Sequence, residues 1–167
     1  MSLIEVDTAA RRLRFGDLDI PCVIGRSGAC PADAKREGDG CTPTGTWPIR
    51  AALLRPDRVA LPTLSLPWRW IRPDDGWSDA PADPAYNRPV HLPRAHSAEN
   101  LQRDDALYDI IVILGHNDAP PVPSAGSAIF FHLWIDAKPT EGCVAIARED
   151  MLHLLPQLQS GDVMVIR

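Results

Sequence analysis

The chain lacks the features that mark membrane-spanning, exported or nucleic-acid-binding proteins. Its longest apolar run, residues 110–115, is far too short to span a membrane. Its first residues lack the basic and then apolar pattern of a secretory signal. The 17 basic residues are scattered among 22 acidic ones, and the net charge is −5. We therefore predict no membrane span and no nucleic-acid partner.

Metal-ligand and phosphate-binding motifs are also missing. The histidines His91, His96 and His153 show no metal-ligand spacing among them. The glycine-rich run at residues 35–40 is followed neither by Gly-Lys-Ser/Thr nor by a helix start, which excludes a phosphate-binding loop. We expect no metal and no cofactor.

Cysteine is scarce, with four residues in 167. A domain of this length, with 45% hydrophobic residues, builds a core without disulfides. We therefore expect the cysteines to be mostly reduced. Cys30 and Cys41 are the only pair close enough in sequence to consider as a bridge.

Proline, by contrast, is abundant, and many of the 17 prolines fall within residues 55–93. Their share is about twice the usual one. So many prolines exclude a long helix or a central strand there. Trp68, Trp70 and Trp77 argue against disorder, because disordered segments are poor in aromatic residues. We predict an ordered, loop-rich insertion with many Pro and Trp residues, wrapped over one edge of the core.

The remaining chain alternates short β-strand patterns with turns. Strands are predicted at residues 3–6, 12–15, 18–24, 108–114, 127–134 and 163–166. Met151, Leu154 and Leu158 fall at helical spacing and predict a helix over residues 147–155. A second short helix is expected to open at Ser97, acting as its N-cap. The fold class is therefore mostly β with one or two short helices, in a single domain covering residues 1–167.

Cys143 and His132 form the most reactive pairing in the sequence. Cys143 lies eleven positions after His132, which stands near the end of an apolar strand, and Gly142 precedes the thiol on a predicted loop. An imidazole on a rigid strand can take the proton of a thiol, and N–H groups of a tight loop can point at an oxyanion. This arrangement is what cysteine-based acyl transfer requires.

The order of motifs resembles the L,D-transpeptidase catalytic domain (YkuD type), over essentially the whole chain. The matching runs are Thr42-Pro-Thr-Gly-Thr-Trp47, the histidine-bearing Ile129-Phe-Phe-His132 and Thr140-Glu-Gly-Cys143-Val144. The resemblance implies an L,D-transpeptidase-type β-sandwich and a cysteine enzyme that works on peptidoglycan stem peptides. It also implies a periplasmic or cell-envelope location.

Three positions depart from the family pattern. Glu141 replaces a second histidine, Ala145 replaces an Arg or Asn, and Leu133 stands where Gly or Ser commonly follows the first histidine. The His-to-Cys interval is also shorter than usual. The chain further resembles a compact subgroup linked to 1,3 cross-links between L-Ala and diaminopimelate, through residues 35–40, 75–77, 86–87 and 126–129. The choice between 1,3 and the usual 3,3 cross-links stays open.

The chemistry assigns specific roles to the catalytic residues. The Cys143 thiolate is expected to attack the carbonyl of a donor stem, and His132 to accept the thiol proton and return one to the leaving amine. The backbone N–H groups of Glu141, Gly142 and Cys143 are the expected oxyanion donors. Since no Asp or Asn is placed locally, a backbone carbonyl is expected to orient His132.

Five side chains are candidates for substrate binding. They are His116, Asn117, Trp134, Glu141 and Arg148. His116 and Asn117 end a strand near that of His132, and Trp134 follows the His132 strand. Arg148 is a candidate for contact with a stem carboxylate, with exposure to solvent at the helix start as the favoured alternative. Glu141 is expected to point away from the thiol and receive the acceptor amine.

Two alternatives to the transpeptidase remain. One is a hydrolase with the same Cys–His dyad, such as an L,D-carboxypeptidase or an amidase. The other is a non-catalytic cell-wall-binding module in which Cys143 is relict. Reactivity of the thiol separates the second alternative from the enzymes, and product analysis separates transfer from hydrolysis. The protein is expected to be a monomer.

Overall fold

The computed structural model describes residues 2–60 and 62–167. Met1 and Leu61 lie outside the described residues. Both belong to the predicted domain, and Leu61 also belongs to the predicted proline-rich insertion. The helices are α1 (Arg148–Leu154) and the 3-10 turns Ala32–Ala34 and Leu155–Gln157. The strands are β1 (Leu3–Asp7), β2 (Arg12–Phe15), β3 (Leu18–Pro21), β4 (Ala29–Pro31), β5 (Thr42–Leu54), β6 (Trp68–Trp70), β7 (Asp75–Ser78), β8 (Pro89–His91), β9 (Ala98–Asn100), β10 (Ile110–Leu114), β11 (Phe130–Leu133), β12 (Val144–Ile146) and β13 (Val163–Ile166).

A ten-stranded sheet follows the order β12-β11-β10-β5-β13-β1-β2-β3, and β4 and β6 join it by pairing with β5. The long strand β5 connects its two halves. Residues 45–48 of β5 pair with β13, and residues 49–54 pair with β10. One core contains residues from both halves, among them Val6, Val112 and Met164. This is the predicted mostly β, sandwich-like fold.

Strand alternation divides β10 and β11 between two cores. Ile110 and Val112 enter the main core, whereas Ile111 enters a second, smaller core with Phe130 and Cys143. His132 follows Phe130 by two positions and therefore lies on the same face of β11. The alternation thus turns His132 toward the side of the sheet that holds Cys143.

The proline-rich insertion is ordered, as predicted, and contains short strands. β7 lies between β8 and β9 in a separate three-stranded sheet, and β6 pairs with β5. Trp77 of β7 packs on Phe130 with 5.0 Å between ring centroids. The small sheet therefore covers the face of β10 and β11 that bears the second core.

The helix predicted to open at Ser97 is wrong, because residues 98–100 form strand β9. These residues pair with Gly76, Trp77 and Ser78 of β7. The Asn100 side chain accepts a hydrogen bond from the N–H of Gln102 at 2.9 Å, which turns the chain out of the strand. Long-range strand pairing thus overrides the local cap signal.

The other predicted helix and strands are found, with ends shifted by a few residues. Helix α1 begins at Arg148 and buries Met151 and Leu154. In residues 2–60 and 62–167, no helix has the length and apolar character needed to cross a membrane.

The prediction of mostly reduced cysteines is wrong for one pair. Cys30 and Cys41 form a disulfide, with their Cα atoms 5.9 Å apart. The parallel pairing of β4 with β5 sets Cys30 opposite Pro43, which brings it beside Cys41. Cys22 and Cys143 are free and buried.

Candidate active site

A cavity of about 460 Å³ contains both predicted catalytic side chains, Cys143 and His132. The loop that carries Cys143 lines one side, and residues of the small sheet line another, including Glu99. A cavity of this size, with a nucleophile and a base among its lining residues, is a typical enzyme site.

His132 is held as a neutral base by its surroundings. The ring is 4% exposed, and its Nδ1 is 2.7 Å from the carbonyl oxygen of Leu133. Because a carbonyl oxygen only accepts hydrogen bonds, Nδ1 carries the proton and Nε2 is left to act as the base. Burial lowers the pKa of His132 to about 4, so the ring is uncharged at neutral pH. The orienting backbone carbonyl was expected from the sequence.

Tyr108 connects His132 to a carboxylate that sequence reasoning missed. The Tyr108 ring meets the imidazole edge to face, with centroids 5.1 Å apart. Its hydroxyl donates a hydrogen bond to Glu99 Oε2 at 2.9 Å. Glu99 lies in β9, in the segment wrongly predicted as a helix, so no local signal marked it.

The surroundings of the Cys143 thiol favour its neutral form. Sγ donates to the carbonyl oxygen of Ala128 at 3.2 Å and accepts from the N–H of Phe130 at 3.3 Å. Burial, and after it the charge of Glu99, raises the pKa of Cys143 to about 12. The neutral thiol is therefore the favoured form before any substrate is attacked. Among the described residues, these two backbone groups are the hydrogen-bond partners of Sγ, and His132 is not one of them.

The loop before Cys143 needs glycine at position 142. Gly142 has φ of +146°, and a Cβ there would stand 2.9 Å from the carbonyl oxygen of Cys41. Two threonines close the loop. Thr140 Oγ1 donates to the carbonyl oxygen of Cys143 at 2.6 Å, and Thr42 Oγ1 donates to that of Gly142 at 2.8 Å. Thr42 thereby gives the Thr-Pro-Thr-Gly motif a physical role.

The three expected oxyanion donors are not equivalent. The N–H of Gly142 already donates to Thr140 Oγ1 at 3.1 Å. Within residues 2–60 and 62–167, the N–H groups of Glu141 and Cys143 donate to no acceptor. These two groups are therefore the ones available to an oxyanion.

Lys35 is a buried cation beside the Cys143 loop. Its side chain is 3% exposed and pairs with Asp39. Its Nζ would lie 3.5 Å from a Cβ built on Gly142, and Lys35 lines the cavity. In the sequence, Lys35 belongs to a polar, glycine-rich run, and nothing local reveals that the lysine is buried.

Asn87 is a further residue that sequence reasoning missed. Its Oδ1 accepts from Trp77 Nε1 at 2.9 Å and from the N–H of Ala128 at 3.0 Å. Its Nδ2 donates to the carbonyl oxygens of His116 and Asn117. Because Ala128 also accepts the thiol hydrogen bond, Asn87 fixes the position of the group that holds Cys143.

Two of the substrate-binding candidates line the cavity, Trp134 and Glu141. The Glu141 carboxylate is 79% exposed and pairs with Arg26 at 2.8 Å. The carboxylate therefore pairs with Arg26 at the cavity rim, and the side chain points away from the thiol, as expected.

The other three candidates lie outside the lining of the cavity. His116 is buried against Trp47, and its Nδ1 has no hydrogen-bond partner in the part of the chain that is described. Asn117 bonds to Val122 and Gly126 and closes a turn. Arg148 pairs with Asp109 at 2.9 Å. None of these three side chains lines the cavity, and Asn117 and Arg148 are engaged within the fold.

One group of potential metal ligands occurs in residues 2–60 and 62–167, formed by Cys30, Asp39 and Cys41. Both sulfurs belong to the disulfide, and Asp39 pairs with Lys35. Because the sulfurs are bonded to each other and the carboxylate is paired with a lysine, the group does not suit a metal ion.

Three solved structures align with nearly the whole chain, and one of them shares the fold. The chain aligns with Bd1075 of Bdellovibrio bacteriovorus at 16% identity and a TM-score of 0.51, covering 99% of this chain and 47% of that one. Lower TM-scores are found for L,D-transpeptidase 1 of Mycobacterium tuberculosis (8% identity, 0.46) and an L,D-transpeptidase from Mycobacterium smegmatis (12% identity, 0.45). Both alignments cover 99% of this chain and 58% of the other. The chain thus spans about half the length of these proteins.

No curated protein sequence matches the chain significantly. A family model does match, that of the L,D-transpeptidase catalytic domain (YkuD), and it covers residues 2–166. The match includes the Thr42 motif, His132 and the Cys143 loop in one alignment. The chain therefore belongs to the YkuD family of L,D-transpeptidase catalytic domains.

Proposed function

We propose that this chain is a cysteine-dependent L,D-transpeptidase that acts on peptidoglycan stem peptides through a thioester. The observation that carries the proposal is the joint placement of Cys143 and His132 in one cavity, beside two unengaged loop N–H groups. The described residues act as one catalytic unit in the periplasm or cell envelope, as a monomer.

Acylation begins from a neutral thiol and a neutral imidazole. As Sγ attacks the carbonyl carbon of the donor stem, its proton passes to Nε2 of His132, because a thiol with a pKa of about 12 is not ionised beforehand. The N–H groups of Glu141 and Cys143 stabilise the oxyanion, and the positive charge of Lys35 lies beside them. The protonated His132 then gives its proton to the leaving amine.

The thioester is next taken by the amine of a second stem, which forms a cross-link and releases Cys143. Water in place of the amine gives hydrolysis. The short interval between His132 and Cys143, with the motifs shared with the compact subgroup, supports 1,3 cross-links between L-Ala and diaminopimelate. Trp134 and Glu141 line the cavity and are proposed to contact the stems.

The test is incubation of the protein with muropeptides, followed by mass spectrometry of the products and of the intact protein. Wild type should gain the mass of an acyl group on Cys143 and release cross-linked stems. Cys143→Ala should give neither, with its fold intact, because a thiol-to-methyl change removes little buried area. Cys22→Ala is the matched control, since it removes the other free, buried thiol, which does not line the cavity.

The products distinguish the transpeptidase from the hydrolase and test the role of Cys143. Cross-linked product identifies the transpeptidase, and fragmentation of that product distinguishes 1,3 from 3,3 bonds. Trimmed stems without cross-links would identify the hydrolase. Acylation that persists in Cys143→Ala would remove Cys143 from its role, and a wild-type protein that is never acylated would overturn the proposal.

A further inference from the structure

Glu99 is a half-buried carboxylate in the wall of the cavity. It lies in β9 opposite Trp77 of β7, and it lines the same cavity as Cys143 and His132. Its hydrogen bond is the one accepted from the Tyr108 hydroxyl, at 2.9 Å. Since a carboxylate offers about four acceptor positions, Glu99 keeps acceptor capacity that the hydrogen bonds of the described residues do not use.

Among residues 2–60 and 62–167, no Lys, Arg or His forms an ion pair with Glu99. Arg103, which also lines the cavity, is paired with Asp105 at 2.7 Å and stacks over the Tyr108 ring. Burial raises the pKa of Glu99 and the negative charges of Asp79 and Glu37 raise it further, while the Tyr108 hydrogen bond and the charge of Arg103 lower it. Such an environment favours a bound cation, which would pair with the carboxylate.

Glu99 also lies within electrostatic reach of the nucleophile. After burial, its charge is the largest influence that raises the pKa of Cys143. Tyr108, whose hydroxyl binds Glu99, packs against Phe130 with ring centroids 5.9 Å apart, and the Phe130 N–H donates to Cys143 Sγ. A group bound to Glu99 would therefore stand close to a thioester on Sγ. The placement suits a second substrate that must approach the acyl group.

Glu141, the carboxylate that the sequence suggested for the acceptor, is placed differently. It is exposed at the cavity rim and already has Arg26 as its cation. Of these two carboxylates, Glu99 is the one without an ion pair among the described residues, and its partner Tyr108 packs against Phe130, whose N–H bonds the thiol.

We propose that Glu99 binds the amine of the acceptor stem and serves as its general base. This inference rests on the proposed transpeptidase function. The acceptor arrives as an ammonium ion and gives one proton to the Glu99 carboxylate. Its nitrogen then attacks the thioester carbon, the C–N bond forms and the C–S bond breaks. A second ammonium proton passes to Sγ, so the products are an amide, a neutral Cys143 thiol and a neutral Glu99, which later releases its proton to water.

The experiment compares Glu99→Gln with wild type, using purified muropeptides that contain diaminopimelate. Intact-protein mass spectrometry measures the rate of acylation, and product analysis measures the ratio of cross-linked to hydrolysed stems. Glutamine has the same shape and can still accept from Tyr108, so the fold should be kept. Glu149→Gln is the matched control, because Glu149 is an exposed carboxylate of α1 that does not line the cavity.

Glu99→Gln should lower the cross-link-to-hydrolysis ratio by at least about tenfold, as the loss of a general base does. Its acylation rate should equal or exceed that of wild type, because removal of the negative charge makes the thiol easier to ionise. An unchanged ratio in Glu99→Gln would overturn the inference, and so would an equal loss of acylation and transfer. Failure of the proposed function looks different, since the wild type itself would then never be acylated or would only hydrolyse the stems.

Discussion

The two walls of the cavity are built in different ways. The loop wall comprises residues 140–143, held by Thr42 and bordered by Lys35. The sheet wall comprises Glu99 of β9 and Asp79, which directly follows β7. The loop wall is closed by hydrogen bonds within four residues and to β5, whereas the sheet wall exists only because distant parts of the chain pair.

The two walls also differ in charge. The loop wall presents the Lys35 cation beside Gly142 and two free N–H groups, all of which favour a developing oxyanion. The sheet wall presents the carboxylates of Glu99 and Asp79. An acyl group on Cys143, as proposed, would therefore lie between a side that stabilises negative charge and a side that attracts positive charge. This difference in charge between the walls suits a transfer reaction in which an oxyanion develops on one side and a positively charged amine approaches from the other.

Among the variants that keep the nucleophile, the largest effect is expected from His132→Ala, which removes the proposed base beside the loop wall. The rate of acylation should fall by roughly 10²–10⁴, the usual contribution of a general base. Initial rates of acyl-enzyme formation measure the change. His153→Ala is the control, because His153 is exposed on α1. A His132→Ala rate within threefold of wild type would contradict the base assignment.

The pH dependence of thiol reactivity should show whether Cys143 is a neutral thiol or a thiolate. Because burial and Glu99 raise the pKa of Cys143 to about 12, the thiolate fraction below that pH rises tenfold for each pH unit. The rate of alkylation by iodoacetamide should therefore keep rising from pH 7 to pH 10, past the ~8.5 at which an ordinary thiol levels off. Cys22→Ala isolates the signal of Cys143. A plateau below pH 8 would show a resident thiolate instead.

The sequence predicted the loop wall and missed the sheet wall, for a physical reason. One short stretch of sequence contains His132, Gly142 and Cys143, and its residue types predict a strand, a turn and a nucleophile. Glu99 acquires its place through the pairing of β9 with β7, which no local pattern reveals. In the same way, Lys35 has the residue type of a surface position, but the fold buries it. His116, Asn117 and Arg148 have residue types that are typical of binding sites, but the fold buries His116, bonds Asn117 to Gly126 and pairs Arg148 with Asp109.

Asn87→Ala should disturb the connection between the walls. Asn87 bonds Trp77 of the small sheet to Ala128, whose carbonyl holds the Cys143 thiol. The substitution leaves buried N–H groups without partners, so the free energy of unfolding should fall by about 2–4 kcal/mol. Urea denaturation measures it. Asn100→Ala, at an exposed position, should change stability by less than about 1 kcal/mol. Equal effects of the two substitutions would show that Asn87 does not join the walls.

The smallest effect is expected from Glu141→Gln, at the rim of the loop wall. Glu141 and Arg26 form an exposed ion pair, with side chains 79% and 51% exposed, and such pairs contribute about 0–1 kcal/mol. The pH profile of Cys143 alkylation should therefore stay in place, because the Glu141 charge is directed to Arg26 and away from the thiol. The cross-link-to-hydrolysis ratio should fall by only about twofold, the size of effect that an exposed pair carries. That fall is several times smaller than the one expected for Glu99→Gln. If Glu141→Gln instead lowered the apparent pKa of the thiol, its carboxylate would face the nucleophile, and the assignment of opposite charges to the two walls would be wrong.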